Sequence, residues 1–119
     1  MKPALQALLI APDCCVRDQI VWGTKTVTIR EGHRDYKLGK VMLCCHLEPW
    51  AVMADITEVR HCLLKEVTKE ECFDDGFSNR VELLHDLQRF YPDLTANSPV
   101  TVIKWANVTG TLVPKRNAC

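Results

Sequence analysis

Gly23-Thr24-Lys25-Thr26-Val27-Thr28-Ile29-Arg30 is the stretch of this chain that decides its fold. From Val27 onward apolar and polar residues alternate, so Val27 and Ile29 point to one side of an extended chain and the polar side chains to the other. The polar set consists of Thr26, Thr28 and Arg30. This two-residue period predicts a half-buried strand whose polar face lines a cleft or meets solvent.

Lys25 precedes Thr28 by three positions, an offset that places two side chains on opposite faces of a regular strand. Both side chains can reach one site if Lys25 lies in a turn after Gly23, before the regular strand begins, or if a bulge intervenes. The alternative is a solvated edge strand with a surface lysine.

The chain has 119 residues, 15 of them basic and 15 acidic, which predicts one domain spanning residues 1–119 with a core over about 5–108. Balanced charge argues against a strong, sequence-blind binder of polyanions. No apolar run is long enough to span a bilayer, and the N-terminus lacks the pattern of a secretory signal. We therefore expect a cytoplasmic protein without membrane contact.

Seven cysteines occur without C-x-x-C spacing. Cys44 and Cys45 are adjacent on a predicted strand, so their thiols point to opposite faces and cannot easily ligate one metal ion together. We expect buried, reduced thiols, and neither a metal nor a cofactor.

Two elements are predicted before the central stretch. Residues 5–10 form a short strand, and Asp13 can cap a helix from Cys14 to Trp22 that ends at Gly23. The loop that follows the stretch, residues 31–37, contains Gly32 and lies in a locally basic region. Its polar groups can receive a phosphate or a nucleotide edge, although a solvated loop explains them equally well.

The second half of the chain contains strands and two helices. Strands are predicted over 40–47, over 51–64 as one bent strand or two, and over 100–108, followed by a loose tail over 109–119. Thr68 and Glu71 form a capping-box pattern at the start of one helix. Ser78 or Asn79 can cap the next helix, which Pro92 closes. Its predicted apolar stripe comprises Val81, Leu84, Leu87 and Tyr91, together with Leu83 and Phe90. Many strands and few helices in a short chain favour an α+β fold built on a small barrel or a strongly curved sheet.

Several ordered motifs resemble the ASCH domain family. They are Gly23-x-Lys25-Thr26-x-Thr28-Ile29-Arg30, then Tyr36-x-x-Gly39 at the start of a strand, then Asp75-Gly76-Phe77-Ser78, and finally a helix that ends in Tyr91-Pro92. The resemblance covers roughly residues 5–108. It implies a PUA-like β-barrel with two or three peripheral helices, and it is greatest to the small bacterial acetylcytidine amidohydrolases, which remove the acetyl group from the exocyclic nitrogen of a modified cytidine.

The resemblance also implies catalytic roles for three residues. It places the family's catalytic lysine on Lys25 and its nucleophilic threonine on Thr28. The family's third residue is a glutamate, and its nearest match is Asp75, which is one methylene shorter. Asp74 or Glu71 can supply this carboxylate instead. In such a set a desolvated lysine accepts the threonine proton, and the carboxylic acid delivers a proton to the leaving nitrogen.

We expect the cleft to bind a nucleoside, a nucleotide or single-stranded RNA. The predicted substrate contacts are Thr26, Arg30, His33 and Arg34. Two other functions are consistent with the sequence, a non-catalytic RNA-binding module and a ribonuclease that acts through His33 or His46. The three tryptophans can each stack on a base or pack in the core or at its rim, and the sequence carries no signal for oligomeric state.

Overall fold

The computed structural model describes residues 6–10, 14–45 and 50–111 of the chain. In chain order the elements are β1 (Gln6–Leu9), α1 (Cys14–Trp22), β2 (Val27–Glu31), β3 (Gly39–Cys45), β4 (Trp50–Leu63), a 3-10 turn (Leu64–Glu66), α2 (Lys69–Asp74), α3 (Arg80–Leu87) and β5 (Pro99–Thr111).

The five strands form one mixed sheet in the order β1-β3-β4-β5-β2. β1 is parallel to β3, and the other three pairs are antiparallel. β4 is a single long strand whose register with β5 shifts at three points between Val52 and Glu58. Such irregularities bend a strand and increase its twist, so the sheet curls into a half-barrel. The prediction of a small α+β barrel with two or three helices is confirmed.

The open side of the half-barrel lies between the edge strands β1 and β2. One side chain bridges it, because Nη2 of Arg30 on β2 donates a hydrogen bond to the backbone carbonyl of Leu9 on β1. We refer to this open side as the seam. Arg30 belongs to the polar face predicted for β2, and it therefore joins the two edge strands of the sheet.

Two apolar clusters form the core. The first packs β1, β3 and β4 against α1 and β5, with Leu8, Ile20, Val41, Leu43 and Ile103 fully buried. The second packs β2 and β5 under α2 and α3, with Val27, Ile29, Cys72, Leu83 and Val102 among its members. The inward orientation of Val27 and Ile29 agrees with the predicted alternation.

The predicted helix starts are confirmed where the structure describes them. The backbone N–H of Glu71 donates to Oγ1 of Thr68 at 3.1 Å, and Oε1 of Glu71 accepts from the backbone N–H of Thr68 at 2.9 Å, which completes the capping box. Asn79, and not Ser78, caps α3 by accepting from the backbone N–H of Glu82 at 2.9 Å. The predicted cap of α1, Asp13, lies outside the described residues.

Two predicted features of the second half are wrong. α3 ends at Leu87 instead of Tyr91, and Val81, predicted to belong to its apolar stripe, is 78% exposed. Leu83 and Leu87, which the predicted stripe also included, are buried; they are four residues apart and therefore share one face of the helix. β5 continues to Thr111, so residues 109–111 belong to the last strand and not to a tail.

The cysteines and tryptophans of the described ranges occupy both buried and exposed positions. Cys44, Cys45, Cys62 and Cys72 are free thiols, of which Cys45 and Cys72 are buried. Trp105 lies in the first core cluster, whereas Trp22 at the end of α1 is largely exposed. Within the described ranges no helix has the length and apolarity that a bilayer crossing requires.

Candidate functional site

A tight helix end places Lys25. Gly23 adopts a φ of +84°, its backbone N–H donates to the Ile20 carbonyl at 3.2 Å, and the backbone N–H of Thr24 donates to the Gln19 carbonyl at 2.9 Å. This pair of hydrogen bonds is the Schellman arrangement, in which glycine takes the left-handed conformation at low cost. β2 begins only at Val27, so Lys25 lies in the intervening turn, as one of the two predicted arrangements required.

A second helix end of the same type places Asp75. Gly76 has a φ of +98°, and its backbone N–H and that of Phe77 donate to the carbonyls of Phe73 and Cys72 at the end of α2. The backbone N–H of Thr26 donates to the Asp74 carbonyl at 3.1 Å, which ties this helix end to the turn that carries Lys25. Asp75, the residue after this anchor, is thereby held beside Lys25.

Lys25 and Asp75 form a buried ion pair. Nζ of Lys25 contacts Oδ1 of Asp75, and it also donates to the backbone carbonyl of Val27 at 2.9 Å and to that of Asp75 at 3.4 Å. Only 6% of Lys25 and 7% of Asp75 is exposed. Burial and the nearby guanidinium of Arg30 lower the pKa of Lys25 to about 7, and Asp86 raises it by a smaller amount. A neutral amine is therefore accessible near neutral pH.

The ion pair faces a cavity of about 220 Å³ at the seam. The cavity is smaller than sites that enclose drug-sized molecules, so it suits one small ligand or one end of a larger one. Its walls are mostly apolar. The lining consists of Leu9, Ile10, Val16, Lys25, Thr28, Ile29, Arg30, Asp75, Phe77, Asp86, Leu87, Phe90 and Tyr91.

Four of the predicted site residues therefore meet at one cavity, namely Lys25, Thr28, Arg30 and Asp75. Thr28 is buried on β2, opposite Ile103 of β5. Arg30 contributes a buried Nε that has no hydrogen-bond partner within the described part of the chain. A buried guanidinium N–H without a partner is costly to the folded protein.

The two alternative acids are placed elsewhere. Glu71 accepts from both terminal nitrogens of Arg60, at 2.5 and 2.6 Å, and pairs with Lys104 at 3.0 Å. Burial alone would raise the pKa of Glu71, but the hydrogen bonds from Arg60, the Thr68 backbone and Lys104 outweigh burial and lower this pKa to about 2. Asp74 lines a different depression, outside the cavity. Asp75 is the acid that contacts Lys25.

Three predicted contact residues do not line the cavity. The backbone of Thr26 links α2 to β5, since its carbonyl accepts from the Trp105 N–H at 3.0 Å. Arg34 is exposed, and its Nε donates to the Glu31 carbonyl at 2.8 Å. His33 is also exposed, and its ring stacks on that of His61 with centroids 4.7 Å apart. Sequence reasoning missed this histidine pair because the two residues lie on different elements, and His46 lies outside the described residues.

The locally basic region is largely neutralised by neighbouring acids. Lys37 pairs with Asp35 at 2.7 Å, and Lys40 pairs with Asp55 at 3.4 Å. An extended phosphate-binding surface needs cations that are free to contact successive phosphates. This arrangement favours a small ligand in the cavity over contact with a polyanion along the 31–40 region.

Asp86 and the aromatic residues Phe77, Phe90 and Tyr91 also line the cavity, although the sequence did not predict them as site residues. The helical periodicity of α3 predicts that Asp86 faces inward, because it lies one residue before Leu87 and three after Leu83, both of which are buried. An acidic residue in an inward position is unusual enough to indicate a site.

The fold and the site define a small half-barrel domain with a buried lysine at its seam. The chain has an ASCH-like fold: it superimposes on the ASCH domain from Lactobacillus crispatus JV V101 with a TM-score of 0.66 at 12% identity, over 86% of this chain and 78% of that one. A mutant of ZmASCH from Zymomonas mobilis gives a TM-score of 0.59 at 14% identity, over 87% of this chain and 68% of that one.

Protein EF3133 from Enterococcus faecalis V583, a DUF984 protein, gives a TM-score of 0.65 at 10% identity, over 98% of this chain and 86% of that one. Comparison of the sequence with family models and with curated proteins finds no match. At these identities the structural similarity shows the fold alone.

Proposed function

We propose that this protein is an amidohydrolase that removes the acetyl group from the exocyclic nitrogen of acetylcytidine. The observation that carries the proposal is the buried contact between Lys25 and Asp75 in a cavity that Thr28 also lines. Lys25 and Thr28 match the motif of the family that the sequence resembles, and Asp75 is the nearest match to that family's glutamate. A nucleophile, a base with a pKa near neutrality and a carboxyl group are the parts that acyl transfer requires.

The first half of the reaction transfers the acetyl group to Thr28. The neutral amine of Lys25 accepts the hydroxyl proton of Thr28 while its oxygen attacks the acetyl carbonyl carbon. The proton passes from Lys25 through the carboxylate of Asp75 to the nitrogen of the substrate, the carbon–nitrogen bond breaks, and cytidine leaves with a free amino group. Asp75 is suited to this transfer because it already contacts the amine.

The second half of the reaction regenerates Thr28. Water attacks the carbonyl carbon of the threonine ester and gives a proton to Lys25, which returns it to the Thr28 oxygen as the ester bond breaks. The products are acetate and the unmodified enzyme. Lys25 acts as a base in each attack, which requires the neutral amine, and burial makes that form accessible by lowering its pKa to about 7.

The test is release of acetate and cytidine in equal amounts when the purified protein is incubated with acetylcytidine. We expect Thr28→Val and Lys25→Met to abolish release and Asp75→Asn to slow it about a hundredfold or more, in line with the loss of a positioned acid or base. Thr109→Val is the matched control, because Thr109 is exposed on β5 and does not line the cavity. Absence of acetate release by the wild-type protein would exclude the hydrolytic function.

The same preparation separates hydrolysis from RNA binding without chemistry. RNA binding that weakens steeply with salt and survives Lys25→Ala would identify distributed phosphate contacts in place of a catalytic lysine. Cleavage of RNA by the wild-type protein, lost in His33→Ala, would instead identify a ribonuclease at the stacked histidines. Because Lys37 and Lys40 pair with neighbouring acids, we do not expect strongly salt-dependent RNA binding.

A further inference from the structure

Asp86 brings a second carboxylate to the cavity. It lies on α3 and lines the cavity, and 31% of its side chain is exposed, so it is neither a core residue nor a freely solvated one. The charged groups that line the cavity are therefore two cations, Lys25 and Arg30, and two acids, Asp75 and Asp86. The site carries no net formal charge, which favours an uncharged ligand over an anionic one.

The position of Asp86 is unfavourable for the helix itself. It lies in the last turn of α3, where the partial negative charge of the helix end disfavours an acidic side chain. Nη1 of Arg89 offsets this by pairing with Oδ1 of Asp86 at 2.7 Å. An acidic side chain that is unfavourable for its helix and lies beside a cavity is typical of a residue kept for function and not for stability.

One oxygen of Asp86 remains available to a ligand. Arg89 uses Oδ1, and Oδ2 has no hydrogen-bond partner among the residues that the structure describes. An ionised carboxylate offers only acceptors, so whatever approaches this oxygen must present an N–H or an O–H.

Phe90 adds a flat surface next to this acceptor. It is 49% exposed and lines the same cavity, so its ring lies at the opening. The guanidinium of Arg89 sits 5.2 Å from the ring centroid, and Tyr91 meets the ring edge-on at 6.5 Å. Arg89 thus contacts both Asp86 and Phe90, which holds the acceptor and the ring in one arrangement.

We propose that Asp86 is a specificity-determining residue: its carboxylate accepts a hydrogen bond from an N–H or O–H of an uncharged, planar ligand whose ring packs against Phe90. The inference rests on the proposed function for the identity of the ligand, a nucleoside. Asp86 takes no part in bond making or breaking, so its contribution belongs to binding, whereas Lys25, Thr28 and Asp75 carry the chemistry.

The test compares Asp86→Asn, Phe90→Leu and the control Asp93→Asn with the wild-type protein, using acetylcytidine for steady-state kinetics and cytidine for equilibrium binding. Asp93 is exposed, and it does not line the cavity, so its variant makes the same charge change elsewhere. We expect Asp86→Asn to raise KM and weaken cytidine binding about tenfold or more at nearly unchanged kcat above pH 8. We expect Phe90→Leu to weaken binding roughly five- to a hundredfold.

Each result decides between the two proposals. Unchanged KM and cytidine affinity in Asp86→Asn would overturn the role of Asp86 and leave hydrolysis standing. Cytidine binding that depends on Asp86 without any acetate release would support this inference and exclude the hydrolytic function. A wild-type protein that binds neither nucleoside would overturn the inference as well. Thermal unfolding of each variant separates a binding defect from misfolding, since the near-isosteric Asp86→Asn should melt within a few degrees of the wild-type protein.

Discussion

Lys25 and Asp75 are 50 positions apart in the chain, yet their charged groups are in contact and almost completely buried. Both residues follow a helix that ends on a left-handed glycine, and the backbone hydrogen bond from Thr26 to Asp74 holds the two helix ends together. The ion pair is therefore positioned by backbone geometry and not by flexible side chains reaching across solvent. Such positioning is what a reaction with a demanding geometry needs.

Removing one partner of this pair should cost more stability than removing both. Lys25→Met leaves the carboxylate of Asp75 buried without its counter-ion, and we expect a loss of about 3 kcal/mol or more in the free energy of unfolding. Lys25→Met combined with Asp75→Leu should recover most of that loss, because no buried charge remains. Urea unfolding of both variants measures the difference. A loss in the double variant that equals or exceeds the loss in Lys25→Met would contradict a buried carboxylate left without its counter-ion.

The pH dependence of unfolding should report the lowered pKa of Lys25. Its pKa of about 7 in the folded state lies below the ordinary value of 10.5, so the unfolded state binds more protons between these two pH values. Stability contributed by this group therefore rises with pH between about 7 and 10.5, with a slope of up to about 1.4 kcal/mol per pH unit. The difference between the wild-type protein and Lys25→Met in urea isolates this slope. Lys69→Met, at an exposed site, should leave it unchanged.

The rate of acetate release should rise with pH through about 7, since the base must be neutral. Arg30→Gln removes a cation that lowers the pKa of Lys25, so the midpoint of the profile should move to higher pH. Asp86→Asn removes an anion that raises this pKa, so its midpoint should move to lower pH. Shifts in the same direction for both variants would contradict the electrostatic origin of the effect, and Asp93→Asn should shift nothing.

Glu71 should make the protein sensitive to acid. Its pKa of about 2 in the folded state lies below the ordinary value of 4.5, so its ion pairs contribute fully above pH 4.5 and are lost as the pH falls towards 2. We expect Glu71→Gln to lower the free energy of unfolding by roughly 3 kcal/mol at pH 6, with the difference shrinking below pH 4.5. Glu70→Gln is the matched control, because the neighbouring Glu70 is exposed. A difference that is constant from pH 6 to pH 2 would exclude this origin.

Local patterns in the sequence predicted the parts of this protein that depend on neighbouring residues. The alternation from Val27 predicted β2, Gly23 predicted the end of α1, and the Thr68–Glu71 capping box predicted the start of α2, because each signal acts within a few residues. The barrel followed from the number of strands in so short a chain. These features need no knowledge of tertiary contacts.

The features that depend on tertiary contacts were not predictable in the same way. Asp75, and not Glu71, pairs with Lys25 because Glu71 already pairs with Arg60 of β4 and with Lys104 of β5. The phase of α3 depends on which residues meet the second core cluster, so the sequence could not place Val81 outside the stripe. His33, in a loop, stacks on His61 of β4, and Asp86 lines a cavity that distant parts of the chain form. Neither arrangement is visible in the neighbouring sequence.

Arg30 lines the cavity, and Nη2 of its guanidinium donates a hydrogen bond to the Leu9 carbonyl that links β2 to β1. A ligand that takes the hydrogen bond of Nη2 would compete with the Leu9 carbonyl and weaken the link between the two edge strands. A ligand that binds elsewhere in the cavity would leave this link intact. Ligand binding and closure of the half-barrel are therefore coupled through one side chain.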